Sequence, residues 1–256
     1  NAIHFSIMNK FYLKNYMFKI LPVVIIIVLL SGCSLKATPR PPEINNTIGD
    51  IQPEKNNQES NKTLSANEIF SKVAPAVVYI SNDESSGSGV ILDKGGFILT
   101  NEHVVSGFKK VQVKLSDQRN YEGQVLGTNK DLDLAIIKIN GKEMTFAELG
   151  DSNNLKPGDE VFSLGYPIGF DDSVSIKEGI FSRTLFDNGK TFFEASAEIQ
   201  NGSSGGPLVD KNGRVIAIAE SVISGFGDSL KLFIPINIIN EKIPGLKENA
   251  MAAPEP

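Results

Sequence analysis

The chain has 256 residues, 41% of them hydrophobic and 21% charged, enough apolar content for a sizeable core in one large domain or two small ones. Its net charge of -5 supplies no general electrostatic reason to bind nucleic acid, so no nucleic-acid partner is expected. The single cysteine excludes an intrachain disulfide and a cysteine zinc cage; two histidines, His4 and His103, are too few and too far apart for a His-rich metal site.

The first residue is Asn1, and translation is expected to begin at Met8 or Met17. Lys10, Lys14 and Lys19 precede an apolar run from Ile20 to Leu30, about half of the roughly 20 residues a membrane-spanning helix needs. A basic start, a short apolar centre and small residues after it read as a secretory signal over residues 1–32. Leu30-Ser31-Gly32-Cys33 resembles the lipobox of bacterial lipoproteins. That resemblance implies cleavage before Cys33 and acylation of Cys33, a membrane as partner, and a place in the cell envelope facing the periplasm or exterior. Several acyl chains together anchor stably where one is marginal. A plain signal peptide and an uncleaved anchor with an incidental cysteine are the competing readings. Residues 33–65 carry Thr38-Pro39-Arg40-Pro41-Pro42, then Asn, Gln, Glu and Lys, too little apolar surface to offset the entropy of ordering, and read as a disordered tether.

The folded domain is expected over residues 66–244. Ser65 or Asn67 caps a short helix, Glu68–Val73, that Pro75 ends. Twelve short β-rich runs follow: Ala76–Ile80, Ser88–Leu92, Phe97–Thr100, Val111–Leu115, Gln124–Thr128, Ala135–Ile139, Glu160–Leu164, Ser173–Phe181, Thr191–Ala195, Pro207–Val209, Val215–Ser221 and Lys231–Pro235. Turn residues separate them at about ten-residue intervals, which argues for an all-β sandwich or barrel. Lys156-Pro157-Gly158-Asp159 divides them into two groups of six, a plausible seam between two barrels. Ile236–Ile243 is expected to form a short closing helix, and the tail from Pro244 (residues 245–256) to be flexible.

Three segments of this domain carry chemistry. Asn201-Gly202-Ser203-Ser204-Gly205-Gly206-Pro207-Leu208 sets serine among glycines, whose backbone can take positive φ and let another chain come close. Successive turn amides there form a nest for a negative oxygen, and a hydroxyl beside such a nest suits acyl transfer if a base and an orienting carboxylate exist. His103, after the apolar run Phe97–Thr100, is the only histidine in the folded part. Asp133 comes just before the expected apolar strand Ala135–Ile139, so it is expected to be partly buried and to need a partner, which an imidazole would supply. Asp131 is its competitor, read instead as a turn cap.

Phe97-Ile98-Leu99-Thr100-Asn101-x-His103-Val104, Asp133-Leu134-Ala135 and Gly202-x-Ser204-Gly205-Gly206-Pro207-Leu208 together resemble the protease domain of HtrA/Deg serine proteases, within the chymotrypsin-like clan. Ile69-Phe70-x-x-Val73-x-Pro75-x-Val77-Val78 and Phe233-Ile234-Pro235-Ile236 match the two ends of that domain. The His–Asp–Ser order is that of the chymotrypsin-like fold. The resemblance implies an all-β fold of two six-stranded barrels with short terminal helices and the site in their cleft. By it Ser204 is the nucleophile, His103 the general base and acid, Asp133 the orienter of the imidazole, and the amides of Gly202 and Ser204 the oxyanion hole. No metal or organic cofactor is implied. The function implied is a serine endopeptidase acting on unfolded or damaged envelope proteins; a non-catalytic chaperone or adaptor using the same cleft is the alternative.

The chain also departs from the family pattern. Ser203 stands where the family commonly has Asn or Asp, and is the obvious rival nucleophile. Glu102 is expected to point away from the imidazole as solvated surface if its segment is extended. Glu198, six residues before Ser204, is either a specificity carboxylate or a surface loop position. Ser221-Val222-Ile223 are candidates to pair with substrate backbone by strand addition. Asp171-Asp172 read as a solvated turn. Thirteen residues follow Ile243, so a PDZ domain, which members often carry, is not expected in this chain. A homotrimer, frequent in the family, is the assembly the resemblance offers, with no supporting contacts identifiable in the sequence.

Overall fold

The computed structural model describes residues 63–224 and 229–248; the signal run, Cys33 and all of the tether before Thr63 lie outside the described residues. Helix α1, Ala66–Val73, starts at a capping box: the Ser65 hydroxyl accepts from the Glu68 amide while the Glu68 carboxylate accepts from the Ser65 amide. Such a cap contributes about 1 kcal/mol by satisfying amides the helix itself cannot. Ile69 and Val73, four apart, bury one stripe of α1.

Among the described residues twelve strands follow, in two closed six-stranded barrels. The first contains β1 (Val77–Ser81), β2 (Ser86–Ile91), β3 (Phe97–Thr100), β4 (Lys110–Leu115), β5 (Asn120–Asn129) and β6 (Leu134–Ile139), closed in the order β1-β2-β3-β6-β5-β4. The second contains β7 (Glu160–Gly165), β8 (Ser175–Asp187), β9 (Lys190–Ala195), β10 (Pro207–Asp210), β11 (Val215–Ser224) and β12 (Ser229–Pro235), closed in the order β10-β11-β12-β9-β8-β7. The expected strands are all present, several longer than the apolar runs suggest. β8 runs on to Asp187 because a two-residue turn, Asn188-Gly189, with φ of 49° and 79°, extends its pairing with β9.

The three layers of core explain the sequence pattern. Val78, Ile80, Ile98, Val113 and Ile137 fill the first barrel. Phe181, Phe193, Leu208, Ile216 and Phe233 fill the second, with the Phe181 and Phe193 rings edge to face at 4.8 Å. A third cluster draws on both barrels and on α1: Ile69, Val77, Leu134, Ile136, Phe162, Tyr166, Val209 and Ile234. Alternate residues of β6 thus serve two cores, which is why Leu134–Ile139 reads as a continuous apolar run rather than an alternating one.

At the C-terminal end there are two short helices, α3 (Ile236–Asn240) and α4 (Ile243–Glu248), where a single one ending at Ile243 was expected. The segment after Pro244 is therefore not frayed through Glu248. Leu246 is buried, and a Cβ on Gly127 would stand only 2.3 Å from its carbonyl oxygen, so α4 lies directly on β5. Pro244 does not stop the helix because it occupies the second helical position, where its missing amide costs nothing.

Candidate active site

His103 does not sit on an extended segment. Residues Glu102–Val105 form a single helical turn, α2 in position but too short for intrahelical bonding to satisfy its own start. Asn101 precedes the turn without capping it through its side chain. The cap comes from elsewhere: Asp133 Oδ1 accepts from the His103 backbone amide at 2.9 Å. Its second oxygen, Oδ2, lies 2.7 Å from His103 Nδ1. A carboxylate can only accept, so Nδ1 carries the proton and Nε2 of a neutral ring is left as an acceptor facing away from Asp133. Asp133 itself is held in a left-handed conformation, φ 52°, at the end of a turn whose Leu132 amide is taken by the Asn129 side chain. Asn129, rather than Asp131, caps that turn. Asn101 Nδ2 donates to the Asp133 carbonyl at 2.9 Å, so one buried asparagine ties the histidine turn to the aspartate turn.

The Asp133 side chain is 19% exposed and that of His103 50%. Burial is the largest single influence on the His103 pKa and lowers it, but the hydrogen bond and charge of Asp133, with smaller contributions from Glu220 and Glu102, outweigh it, and the net shift is upward. Glu102 is not solvated surface: its side chain is 12% exposed, with Lys130 Nζ at 4.0 Å. The expected opposition of neighbouring side chains holds for a strand, and the helical turn removes it.

The serine loop meets the histidine turn edge to edge. A Cβ on Gly205 would stand 2.2 Å from the Ser88 carbonyl oxygen, 2.4 Å from Thr100 Oγ1 and 3.1 Å from the Asn101 amide nitrogen. A Cβ on Gly87 would collide with Val104 and approach the Ser204 carbonyl oxygen at 3.2 Å. The chain around Ser204 is therefore wedged against residues 100–104, and only glycine fits the contact at Gly205, whose φ is 82°.

Within the loop every carbonyl from Asn201 to Ser204 has a donor: Asn201 from the Ile168 amide, Gly202 from the Ser88 hydroxyl, Ser203 from the Gly206 amide, and Ser204 from the Ser88 amide. The amides of Ser203 and Gly205 donate to Gln200 and Ala219. Those of Gly202 and Ser204 donate to nothing among the described residues. In a trans peptide C=O and N–H point opposite ways, so the bonds to Asn201 O and Ser203 O turn these two amides toward the other side of the loop. Gly202 takes φ 92°, which the arrangement requires. Ser203 is buried against Gly165, whereas Ser204 is partly exposed and its hydroxyl makes no hydrogen bond among the described residues. That separates the two serines: an attacking hydroxyl must be reachable.

The remaining expected residues divide. Glu198 is exposed; its carbonyl accepts from Ser163 Oγ at 2.7 Å, and its carboxylate makes no hydrogen bond or ion pair among the described residues. Ser221, Val222 and Ile223 lie on β11, paired to Leu232, Lys231 and Leu230 of β12. On the other side, β11 pairs with β10 and the serine loop only as far as Ala219, so the edge beyond is open among the described residues. Asp171 and Asp172 lie in an exposed turn, as expected; Asp171 pairs with Lys114 at 3.1 Å and the Asp172 carbonyl accepts from Gln118, linking this turn to β4 and the β4–β5 turn of the first barrel.

Two residues of the site were not anticipated. Glu220 stands at a register shift of β11 between Ala219 and Ser221 and bonds the Ser221 hydroxyl. Burial, then the charge of Asp133, push its pKa up against the opposing pull of Ser221, His103 and Lys190. An acid interrupting the apolar run Val215–Ala219 was the available signal. Ser88, fully buried, was read only as the start of a strand. Glycines on both sides of it in Gly87-Ser88-Gly89 mark close backbone approach within a strand.

The trypsin-like peptidase domain profile matches residues 87–218. A probable periplasmic serine endoprotease DegP-like from Pseudomonas savastanoi pv. phaseolicola is 38% identical over 170 residues, 64% of this chain and 35% of that protein. Protease Do-like 5, chloroplastic, from Arabidopsis thaliana is 32% identical over 219 residues, 70% of this chain and 68% of that protein. Among solved structures, an HtrA-type protease AlgW with decapeptide superposes with a TM-score of 0.66 at 28% identity, covering 73% of this chain and 69% of that one. The chain spans about a third of the length of the DegP-like relative. With the double barrel, these likenesses establish that the chain belongs to the HtrA/Deg family of trypsin-like serine proteases.

Proposed function

We propose that this protein is a serine endopeptidase that cleaves unfolded or damaged proteins of the cell envelope through an acyl-enzyme. The observation that carries the reading is the joint arrangement of His103 Nδ1 on Asp133 at 2.7 Å and two undonated amides, Gly202 and Ser204, flanking an accessible serine hydroxyl. His103 Nε2 takes the Ser204 proton as Oγ attacks the peptide carbonyl. The Gly202 and Ser204 amides hold the oxyanion, Asp133 stabilises the imidazolium without being protonated, and the proton passes to the leaving amine. Water then attacks the ester, with His103 again as base, and the acid product leaves. The missing Ser204–His103 hydrogen bond is consistent with this, since such bonds tighten when substrate binds. Substrate backbone adds to the open edge of β11 at Ser221, Val222 and Ile223. Peptide substrates agree with the structures of HtrA-type protease AlgW with decapeptide and with tripeptide, and an envelope location with the periplasmic DegP-like relative and with the lipobox-like run ending at Cys33, the lipidation site of this reading.

A fluorophosphonate probe tests the enzyme. The folded wild-type domain should label at Ser204, and Ser204→Ala should abolish labelling and lower turnover by about a million-fold. A wild type that stays unlabelled while a control protease reacts contradicts the proposal. An unmodified Cys33 in the mature protein, read by mass, contradicts the anchor.

A further inference from the structure

Ser88 belongs to the first barrel, yet three of its four hydrogen bonds reach the second. Its amide donates to the Ser204 carbonyl at 2.8 Å, and its hydroxyl donates to the Gly202 carbonyl at 2.8 Å while accepting from the Tyr166 amide at 2.8 Å. The fourth, from Thr100 Oγ1 to the Ser88 carbonyl at 2.7 Å, fixes β2 to the strand that leads into the histidine turn. With a buried hydroxyl both donating and accepting, its direction is determined: it cannot rotate without losing one partner.

Four peptide planes lie between Asn201 and Gly205. The first is held by Ile168, the second by the Ser88 hydroxyl at its carbonyl and Gln200 at its amide, the third by Gly206, and the fourth by the Ser88 amide at its carbonyl and Ala219 at its amide. The second plane adjoins Gly202, a residue at φ 92° with no side chain to limit its rotation. Without the Ser88 hydroxyl the second plane keeps only its Ser203 amide bond to Gln200 and can tilt about the glycine, and Tyr166, two residues before the Ile168 amide that holds the first plane, loses the partner of its own amide, so the Gly202 amide loses support on both sides. The site thus lies across a seam, with the serine and its amides on one barrel and both the base and the anchor of the loop on the other.

We propose that Ser88 is a positioning residue for acyl transfer: its hydroxyl, reaching from β2 of the first barrel, holds the Gly202 carbonyl so that the Gly202 amide faces the developing oxyanion. This rests on the peptidase reading above. It makes the oxyanion hole dependent on docking of the two barrels, since a shift of β2 relative to the serine loop moves the hole and the base together. Interactions made only in the transition state lower kcat when lost and leave ground-state binding intact.

The test is Ser88→Ala, which keeps the backbone bond to Ser204 and deletes the hydroxyl. We expect kcat on a fluorogenic peptide amide to fall about 10- to 100-fold, less than loss of a whole oxyanion donor, with KM within about threefold of wild type. Affinity for a peptidyl boronate, whose tetrahedral adduct fills the oxyanion site, should fall by a similar factor. Affinity for the intact peptide, measured in a Ser204→Ala background with and without Ser88→Ala, should stay within about threefold. Ser88→Cys, retaining a weak donor and acceptor, should lie between Ser88→Ala and wild type, and it is the variant to read if the alanine protein does not fold. Unchanged kcat and boronate affinity in a folded variant, or a loss confined to KM, overturns the proposal while leaving an active wild type as a peptidase. A wild type that neither turns over substrate nor binds the boronate overturns the peptidase reading, and this inference with it.

Discussion

Gly202→Ala separates two ways in which a glycine can matter. At φ 92° any L side chain is strained, by about 1–2 kcal/mol in the left-handed region. At this position there is also no room: the new Cβ would stand 2.6 Å from the Tyr166 carbonyl oxygen and 2.7 Å from the Ile168 amide nitrogen. The loop must retreat by several tenths of an ångström from the residue whose amide now holds the Asn201 carbonyl at 2.7 Å. That bond orients the Gly202 amide, so the expected result is loss of one oxyanion donor, about 10²–10³ in kcat or about 2.7–4 kcal/mol of transition-state stabilisation. Gly189→Ala is the control: it has φ 79° but open space around its Cβ, so it should lose about 1 kcal/mol of stability and keep its kcat. Steady-state cleavage of a peptide amide, beside thermal melts of both variants, provides the comparison. If folded Gly202→Ala keeps kcat within about threefold of wild type, or if Gly189→Ala loses as much, the assignment of the Gly202 amide is wrong.

Asp133→Asn should lower kcat by about 10⁴, because an amide at Oδ2 favours the wrong imidazole tautomer, with cleavage rates as the measure. Glu220→Gln removes a negative charge that helps hold the His103 pKa up, so the acid limb of the kcat/KM profile should move to lower pH; a fixed limb would contradict it. The same change acts on stability. A carboxyl whose folded pKa lies above its unfolded value binds its proton more tightly in the native state, so stability falls as pH rises from the unfolded value through the folded one. Glu220→Gln should therefore be more stable than wild type above that window and equal to it below, read as Tm against pH. Leu246→Ala should cost about 2–5 kcal/mol in denaturant unfolding, since Leu246 is buried where α4 lies on β5; a loss under about 0.5 kcal/mol would mean that α4 does not support the barrel.

The order of His103, Asp133 and Ser204, the twelve strands and the capped first helix were legible because each is a local pattern: apolar runs between turn residues, an acid before an apolar strand, a serine among glycines. The errors fall where neighbours in space overrule neighbours in sequence. Phe97–Thr100 continues into what could be an extended segment, but Asp133, 30 residues on, caps a helical turn at His103, and the turn in turn buries Glu102. Pro244 suggested a frayed end, yet β5 offers Leu246 a surface to cover.

By itself, then, the sequence singled out the candidates for the chemistry, since a nucleophile, a base and an orienting acid are recognised by residue type and by the turns around them. Only the tertiary structure decided how the site is held together. Ser88 is unremarkable in a strand until a second barrel presents two carbonyls and an amide to it. Glu220 is one acid in an apolar strand until a register shift sets it within electrostatic reach of His103 and Asp133. Both roles depend on contacts between segments at least 78 residues apart in the chain, which no local periodicity encodes.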